Sequence, residues 1–189
     1  MTTKKNNEPK KKGRCSNKHS VGFWAHLKKW QKVLTVIVSI ITIISASYAV
    51  GFSIIVWQNE GQIKNIIQNE AIYVIEKNPD KAVSLYAENA VVKDAAGGNA
   101  NLVVAWMGIN QIKERYLGFQ NYTFTFLVHG DVHVVIDLYQ NRASATADTT
   151  GQYLLNGEQK QITSNQGEKW TFEKVNGIWK IDSFTYNLP

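Results

Sequence analysis

The sequence has a single cysteine, Cys15, and three prolines among its 189 residues. One thiol excludes an intramolecular disulfide, and the residues after it can supply neither a cysteine-based zinc site nor a cysteine nucleophile. The scarcity of proline leaves no proline-rich linker to divide the chain. No G-x-S-x-G elbow and no phosphate-binding glycine-rich loop occurs either, so the motifs of α/β-hydrolases and P-loop nucleotide-binding proteins are missing.

Charge is absent from residues 33–57, a run of 25 residues of which most are apolar. At about 1.5 Å of rise per helical residue, such a run spans the roughly 30 Å hydrocarbon core of a bilayer once. We therefore predict one transmembrane helix over residues 33–57. Side chains that favour the headgroup layer flank this run and are the predicted membrane-interface residues: Trp24, Trp30, Trp57, Lys28, Lys29 and Lys32.

The distribution of charge predicts the orientation of this span. Residues 1–32 contain ten basic residues and one acidic residue, whereas residues 58–189 contain eleven basic and fourteen acidic residues. Lysine and arginine accumulate on the cytoplasmic side of membrane proteins. We therefore expect a cytoplasmic N-terminal arm, a single crossing of the lipid bilayer, and a C-terminal domain that is periplasmic or extracellular.

The alternative interpretation of the apolar run is a cleaved signal peptide. Ser45, Ser47 and Ala49 are small residues, which would suit a peptidase that cuts after Ala49. The basic region before the run is long for a signal peptide, and the apolar residues continue past Ala49 to Trp57. An uncleaved anchor is therefore the preferred interpretation.

The basic arm divides into two parts. Residues 1–20 have almost no apolar side chains and are expected to be disordered, because they cannot bury enough surface to offset the entropy of ordering. Residues 21–32 mix aromatic and lysine side chains and could form an amphipathic segment on the inner leaflet. Lipid docking and a plain topology signal both explain this segment. No nucleic-acid partner is expected, since a basic tail without a folded reader is weak support for one.

Residues 58–189 have the length of one domain, and their first half predicts helices. Apolar residues recur at helical spacing over 62–77, Asn78-Pro79 provides an N-cap and a first helical position, and 108–116 predicts a further helix. Between them, the sequence predicts a short helix through residues 82–86, a brief strand at 90–92 and an exposed loop at 95–102.

From residue 121 onward the hydrophobic period changes to two, which is the period of β-strands. Five strands are predicted: 122–127, 132–138, 143–155, 161–174 and 178–186. Turn residues separate the last four of them: Gln140-Asn141, Asn156-Gly157 and Asn176-Gly177. Asn-Gly favours two-residue hairpins because both residues tolerate positive φ. Helices followed by an antiparallel meander predict an α+β fold, with helices packed on one face of a sheet.

The order of these elements and four local phrases resemble the nuclear-transport-factor-2-like (NTF2-like) superfamily, in particular its SnoaL-like branch. The phrases resemble the family's second helix and first strand, its W-x-G phrase with the next helix, its histidine-led strand with the following small-residue strand, and its closing hairpin. In that order they are PDKAVSLYAENAVVKD (79–94), AWMGINQIKERY (105–116), HGDVHVVIDLYQNRASATA (129–147) and VNGIWKIDSF (175–184). The resemblance spans about residues 60–187 and implies a cone, in which a curved antiparallel sheet wraps three helices and an apolar pocket opens at the wide end.

The resemblance also implies a range of functions. Relatives use the pocket for dehydration, isomerisation, epoxide hydrolysis or ligand binding, and others dimerise through the outer face of the sheet, so the fold alone does not choose. His129 matches the position of the histidine in dehydratase-like relatives, and acid–base chemistry needs such a group beside a carboxylate. The end of the first helix, where those relatives carry the acid, has no aspartate in this chain. Glu76 is adjacent but is expected to face solvent.

Asp94, at the end of the first strand, is the other candidate catalytic residue. Five aromatic residues are the candidates for lining the pocket: Tyr86, Trp106, Tyr116, Tyr153 and Trp170. Each has a structural alternative, since a strand-end aspartate is often a turn residue and aromatic residues inside a cone are often core. His129, Asp131 and His133 alternate as chelating ligands would, but Gly130-Asp131 indicates a bulge and this face lies opposite an apolar stripe. We therefore expect no metal site, and no cofactor.

Two classes of function remain open. The first is a membrane-anchored module that binds a small apolar ligand, forms a homodimer through its sheet face, or meets a partner membrane protein. The second is a membrane-tethered SnoaL-like enzyme that performs dehydratase- or isomerase-type acid–base chemistry on a small apolar substrate. Because the first helix offers no evident acid, the module is the preferred expectation. An enclosed cavity with His129 in hydrogen-bond reach of a buried carboxylate would reverse that preference.

Overall fold

The computed structural model describes residues 18–95 and 103–187 of the chain. The chain divides into two compact units, one that ends at Gly51 and one that begins at Phe52. The predicted disorder of residues 1–20 and the predicted loop at 95–102 fall almost entirely outside the described residues, as does the side chain of Trp24.

The first unit is formed by the N-terminal part of one long helix, α1 (Lys18–Ile75), whose C-terminal part belongs to the second unit. In the part of the chain that the structure describes, it is the one helix long and apolar enough for a membrane span or a signal sequence. The predicted interface residues with described side chains are all exposed: Trp30, Trp57, Lys28, Lys29 and Lys32. Three hydroxyl groups within the apolar run donate to carbonyl groups four residues earlier in the helix: Thr35, Ser39 and Thr42.

The second unit contains the remaining helices and all the strands. The helices after α1 are α2 (Pro79–Val83) and α3 (Gly108–Gly118), and a short 3₁₀ turn (Phe119–Asn121) follows α3. The strands are β1 (Tyr86–Asp94), β2 (Val104–Met107), β3 (Thr123–Asp137), β4 (Arg142–Leu155), β5 (Glu158–Val175) and β6 (Ile178–Tyr186). The predicted α+β fold is confirmed.

The boundary between α1 and α2 follows from local chemistry. Lys77 adopts a left-handed φ of 55° just after α1 ends, which breaks the helical path. Asn78 then caps α2, because its side-chain oxygen accepts a hydrogen bond from Lys81 N at 3.1 Å. Pro79 occupies the first helical position, where its missing N–H costs nothing. The cap and the proline are as predicted.

The six strands form one curved sheet in the order β2-β1-β6-β5-β4-β3. All neighbours are antiparallel except β1 and β6, which are parallel. Both predicted Asn-Gly turns are confirmed, since Asn156, Gly157, Asn176 and Gly177 have φ values between 51° and 82°. These two turns order β4, β5 and β6 as a meander.

The chain leaves its helical path earlier than expected after α2. Residue 86 was predicted to end a helix, but Tyr86 begins β1, and that strand extends to Asp94 instead of covering only 90–92. The cause is pairing with the far end of the chain, since Ile181 N donates to Leu85 O at 2.9 Å and β6 then runs beside β1. Such pairing cannot be read from the local sequence.

The core lies between the helices and one face of the sheet. From α1, Ile63, Ile67 and Val74 are buried at the predicted helical spacing, and Ile112 joins them from α3. The sheet contributes alternating residues of β4, β5 and β6, of which the largest are Trp170, Phe172, Trp179, Ile181 and Phe184. The opposite face carries polar side chains, such as Thr171 and Ser183, whose hydroxyl oxygens lie 2.7 Å apart.

Candidate functional site

A bulge in β3 decides which of its side chains face the core. Leu127 and His129 face inward before it, and Val132 faces inward after it, although three positions separate Val132 from His129. Asp131 has a φ of 45°, and the pairing with β4 shifts register here. The predicted bulge is confirmed. It buries His129 while Asp131 and His133 remain about two-thirds exposed, at 67% and 66%, so these three residues do not form one chelating group.

Inside the core, His129 lies between two buried carboxylates. Its Nδ1 is 3.0 Å from Glu168 Oε2 and its Nε2 is 3.5 Å from Glu70 Oε2. Thr149 completes the group, with its hydroxyl oxygen 2.8 Å from Nδ1. The four side chains come from α1, β3, β4 and β5, so each depends on a different element for its position. This arrangement is called the His129 network below.

The surroundings of His129 favour its charged form. Burial alone would lower the pKa of its imidazole, but hydrogen bonds and charges from Glu168 and Glu70 outweigh burial and raise the pKa to about 9. At neutral pH the side chain is therefore an imidazolium held by two carboxylates. The expectation that the first helix lacks an acidic partner for His129 is wrong, because Glu70 supplies it about one turn before the segment at 73–76.

Two tyrosines extend the network behind Glu70. Tyr116 on α3 donates its hydroxyl hydrogen to Glu70 Oε1, and its hydroxyl oxygen lies 2.9 Å from that of Tyr86 on β1. Burial, followed by the charge of Glu70, raises the pKa of the Tyr116 phenol well above its usual value. Tyr116 is therefore a neutral donor that holds the Glu70 carboxylate in place.

The His129 network forms part of the wall of a cavity of about 360 Å³. This size lies at the lower end of the range found for small-molecule sites. Glu70, His129, Thr149 and Glu168 all line it, and apolar and aromatic side chains make up most of the rest, including Phe119, Tyr122, Phe124, Leu127, Ile162 and Phe184. The ring of Tyr153 contacts two of these rings: its centroid lies 5.2 Å from that of Tyr122 and 5.5 Å from that of Phe124. The cavity therefore offers an apolar, ring-rich space beside a buried ionic group.

Of four predicted site residues other than His129, two line this cavity and two do not. Asp94 lines it near the end of β1 and accepts a hydrogen bond from Asn187 Nδ2 at 2.8 Å. Tyr153 lines it, whereas Trp106 on β2 lies beside Arg115. Trp170 is fully buried in the core, where it stacks on Phe184 and meets the His129 ring edge-on with centroids 5.2 Å apart. Glu76 is exposed, as predicted, and pairs with Lys81 at 3.5 Å.

Three charged residues of the site did not emerge from the sequence: Glu70, Arg115 and Glu168. Each sits within an apolar stripe, which is the signal that could have identified it. Glu70 continues the helical spacing of Ile67 and Val74, and Glu168 alternates with Trp170 and Phe172. A charged residue at a position where the period predicts burial is expected to have a partner or a function.

No protein-family model and no curated protein matches the sequence. Solved structures do match. An NTF2-like protein with a cystatin-like fold from Novosphingobium aromaticivorans aligns with a TM-score of 0.58 at 11% identity, over 72% of this chain and 85% of that one. A candidate scytalone dehydratase from the same organism aligns with a TM-score of 0.55 at 15% identity, over 68% and 83% of the two chains. A ketosteroid isomerase-like protein from Erwinia carotovora aligns with a TM-score of 0.50 at 14% identity, over 61% and 85%.

These similarities show the fold. The C-terminal domain has the NTF2-like fold, and the predicted architecture of a curved sheet packed on helices, after a long apolar helix, is confirmed. At such low identity, the activities that name the last two of these proteins belong to those proteins and do not transfer with the fold.

Proposed function

We propose that this chain is a single-pass membrane protein whose exported NTF2-like domain binds a small, largely apolar organic molecule and exchanges a proton with it. The observation that carries this proposal is the His129 network, in which an imidazolium lies 3.0 Å from one carboxylate and 3.5 Å from another at the wall of a 360 Å³ cavity. Ionisable groups held in a cavity with altered pKa values are typical of acid–base sites.

Within this network, Glu168 is the group best placed to meet a ligand. Its side chain is 11% exposed, whereas those of His129 and Glu70 are 2% and 3% exposed. We assign Glu168 the role of the base that takes a proton from a carbon next to a carbonyl group, with the electron pair passing to the carbonyl oxygen as an enolate. In a β,γ-unsaturated ketone, return of this proton to the γ-carbon of the dienolate completes an isomerisation. In a β-hydroxy ketone, the enolate expels the hydroxyl group, which takes the proton from Glu168 and leaves as water.

His129 and Thr149 would hold Glu168 in position. Both contact its Oε2, at 3.0 Å and 2.5 Å, which leaves its other oxygen for the ligand. Once Glu168 has taken the proton it is neutral, and the positive charge of His129 then offsets the remaining carboxylate of Glu70 beside the enolate. In this proposal Glu168 is the catalytic residue, and His129 is a positioning residue.

A second candidate is binding without chemistry. It is favoured by the fact that each imidazole nitrogen faces a carboxylate and that Nε2 has no contact with solvent. A buried ion whose charge is balanced by its neighbours can serve fold specificity alone. The cavity then acts as the binding site of a receptor or carrier.

Protein interaction through the sheet has less support. The face of the sheet that turns away from the core presents polar groups in its central strands, with Thr171 within 3.2 Å of Asp182 and Arg142 within 3.8 Å of the same carboxylate. Interfaces of stable dimers are apolar at their centre. The homodimer and the partner membrane protein remain predictions from the sequence.

Export and anchoring rest on the N-terminal residues. The uncharged run at 33–57 follows ten basic residues and one acidic residue, and it lies in a helix long and apolar enough for a span. The domain would therefore bind its ligand outside the cytoplasm. A small apolar molecule that partitions near the bilayer fits both the location and the cavity.

The test uses the full chain in detergent micelles or nanodiscs. It is incubated in deuterium oxide with a panel of β-hydroxy ketones and β,γ-unsaturated ketones, and mass spectrometry follows deuterium uptake and loss of water. We expect exchange with at least one compound for the native chain and none for Glu168→Gln, although the same compound still binds. Glu158→Gln, an exposed substitution on the same strand, is the matched control. Binding without exchange in the native chain supports the receptor and excludes the enzyme.

A further inference from the structure

Arg115 is a buried cation in the cavity wall that the proposed chemistry does not use. It lies on α3 between Ile112 and Tyr116 and is 9% exposed. Together with Glu70 and the other network residues, it lines the cavity. Arginine keeps its charge at all accessible pH values and carries five N–H donors, so burial of this group requires compensation.

Aromatic rings provide part of this compensation. Five rings lie 4.8–5.8 Å from the guanidinium carbon: Trp106, Tyr116, Phe119, Phe184 and Tyr186. Such rings attract a cation through their electron-rich faces, but each contact is worth only about 0.5–2 kcal/mol. Tyr186 also forms a hydrogen bond with the guanidinium.

The hydrogen-bonding capacity of Arg115 is nevertheless left unfilled. Its Nε and Nη1 have no acceptor among the described residues. No carboxylate of the described side chains lies within 4.0 Å of it in an ion pair, although His129 has two such partners. Buried cations in proteins are normally paired, so Arg115 lacks an anionic partner that the described residues do not supply.

We propose that Arg115 docks an anionic group of the ligand, and that the ligand is a small carboxylic acid with an apolar or ring-shaped body. The inference rests on the proposed function, because it names the class of molecule that the same cavity takes. A carboxylate matches the forked guanidinium and can accept two hydrogen bonds from it. The rings around Arg115 exclude water and strengthen this pair.

The charges of the cavity favour the same assignment. Arg115 and His129 carry two positive charges, and Glu70 and Glu168 carry two negative charges, but His129 already faces both carboxylates. Arg115 is thus the cationic group open to a negative ligand, while the Glu168 side would repel one. A carboxylate would therefore be oriented with its charge at Arg115 and its body along the aromatic wall of Tyr122, Phe124 and Tyr153.

The test compares 2-naphthoate with 2-naphthamide, which have nearly the same shape and differ in charge. Binding of each compound to the full chain in nanodiscs is measured by calorimetry at neutral pH. We expect the native chain to bind 2-naphthoate about tenfold or more tightly than 2-naphthamide, because hydrogen bonds to charged groups are the stronger ones. Equal affinities, tighter binding of the amide, or binding of neither compound would overturn the inference.

Variants locate this preference on Arg115. Arg115→Met removes the charge and is expected to lower the affinity for 2-naphthoate about tenfold while changing that for 2-naphthamide less than about twofold. Arg115→Lys keeps the positive charge but removes the paired N–H donors of the guanidinium, and it is expected to lower the affinity for 2-naphthoate by less than Arg115→Met does. It also serves as the test if the methionine variant does not fold. Lys113→Met changes a partly exposed residue on the same helix that pairs with Asp80 at 2.6 Å; it is the control and should change neither affinity. An unchanged preference in both Arg115 variants would contradict the inference.

The inference and the proposed function can fail separately. If neutral ketones exchange protons in the cavity but the carboxylate is not preferred, the anionic ligand is wrong and the acid–base proposal stands. If 2-naphthoate docks on Arg115 but no compound exchanges a proton, the domain is a receptor for small carboxylic acids.

Discussion

Thr149 donates its hydroxyl hydrogen to Glu168 Oε2 at a distance of 2.5 Å. A threonine hydroxyl has one hydrogen, so towards His129 it can only accept. The Nδ1 of His129, 2.8 Å away, must therefore carry a proton, and its Nε2 faces the carboxylate of Glu70. The direction of one hydrogen bond thus places a proton on Nδ1, and the charged state needs a second proton on Nε2, which the nearby Glu70 carboxylate favours.

Thr149→Val should destabilise the domain. Valine fills nearly the same volume but offers no partner to Glu168 or to His129, and leaving buried polar groups unsatisfied costs about 1–3 kcal/mol. Urea unfolding of the full chain in detergent micelles, followed by tryptophan fluorescence, measures the loss. Thr150→Val, one position along β4 and exposed, is the control and should be close to neutral. Similar effects of the two substitutions would show that the network does not contribute as described.

Stability should fall as pH rises from about 6.5 to about 9. The pKa of His129 is raised to about 9 in the folded state, against 6.5 for an unperturbed histidine. The folded state therefore holds a proton that the unfolded state releases, so this contribution is complete below pH 6.5 and is lost through pH 9. A shift of this size corresponds to about 3 kcal/mol.

The pH dependence is measured by urea unfolding at several pH values between about 6 and 9.5, which bracket the two pKa values. His129→Gln should flatten the decline, because it removes the group whose pKa differs between the two states. His133→Gln removes an exposed histidine that lies 3.4 Å from Asp131 and should leave the decline in place. A decline that persists in the His129 variant would assign the effect to another group.

Much of the sheet was predictable because the information is local. The alternation from residue 121 onward, together with Asn156-Gly157 and Asn176-Gly177, predicts strands and hairpins from nearby residues. The separate strands predicted at 122–127 and 132–138 are nevertheless one strand, β3, because its pairing with β4 continues past the bulge at Asp131. The parallel pairing of β1 with β6 was not predictable, since the paired residues, such as Val92 and Phe184, are far apart in sequence. The helix-to-strand change before Tyr86 follows from the same pairing.

The site was only partly predictable for the same reason. His129 was identified through a family phrase, and the bulge through Gly130-Asp131. Glu70 and Glu168 become partners of His129 only when α1 and β5 meet β3, and nothing near either residue reveals that meeting. The sequence does show that Glu70 and Glu168 each occupy a position where the hydrophobic pattern predicts a buried apolar residue. Such positions are therefore the ones to examine first when a sequence is read by itself.

Glycine positions offer a direct test of the backbone description. Gly177 has a φ of 81°, and a Cβ atom added there would meet nothing within 4 Å, so Gly177→Ala is expected to cost about 1–2 kcal/mol through backbone strain alone. Gly61 lies on the exposed side of α1, also with nothing within 4 Å. Gly61→Ala is expected to stabilise by about 0.5–1 kcal/mol, because alanine is the better helix former. Urea unfolding measures the change in the free energy of unfolding for each variant. A decrease for Gly177→Ala and an increase for Gly61→Ala would support both assignments, and changes of the same sign would contradict one of them.

The topology predicts which terminus is accessible from outside the cell. With an epitope tag at each end of the full chain, protease added to spheroplasts should destroy the C-terminal tag and spare the N-terminal one, because basic residues remain in the cytoplasm. Lysed spheroplasts are the control, in which both tags should be lost. Protection of the C-terminal tag in intact spheroplasts would sink the exported assignment. Release of the domain without its anchor would favour a cleaved signal peptide.

The central claim is that a charged histidine stands between two carboxylates in the cavity, and nitrogen NMR of the full chain labelled with ¹⁵N-histidine tests it most directly. The chain has four histidines, and His129→Gln identifies the resonances of interest. We predict that both ring nitrogens of His129 are protonated at about pH 7.5 and that the ring loses its proton near a pKa of about 9. A neutral ring at that pH, with one unprotonated nitrogen, would contradict the account.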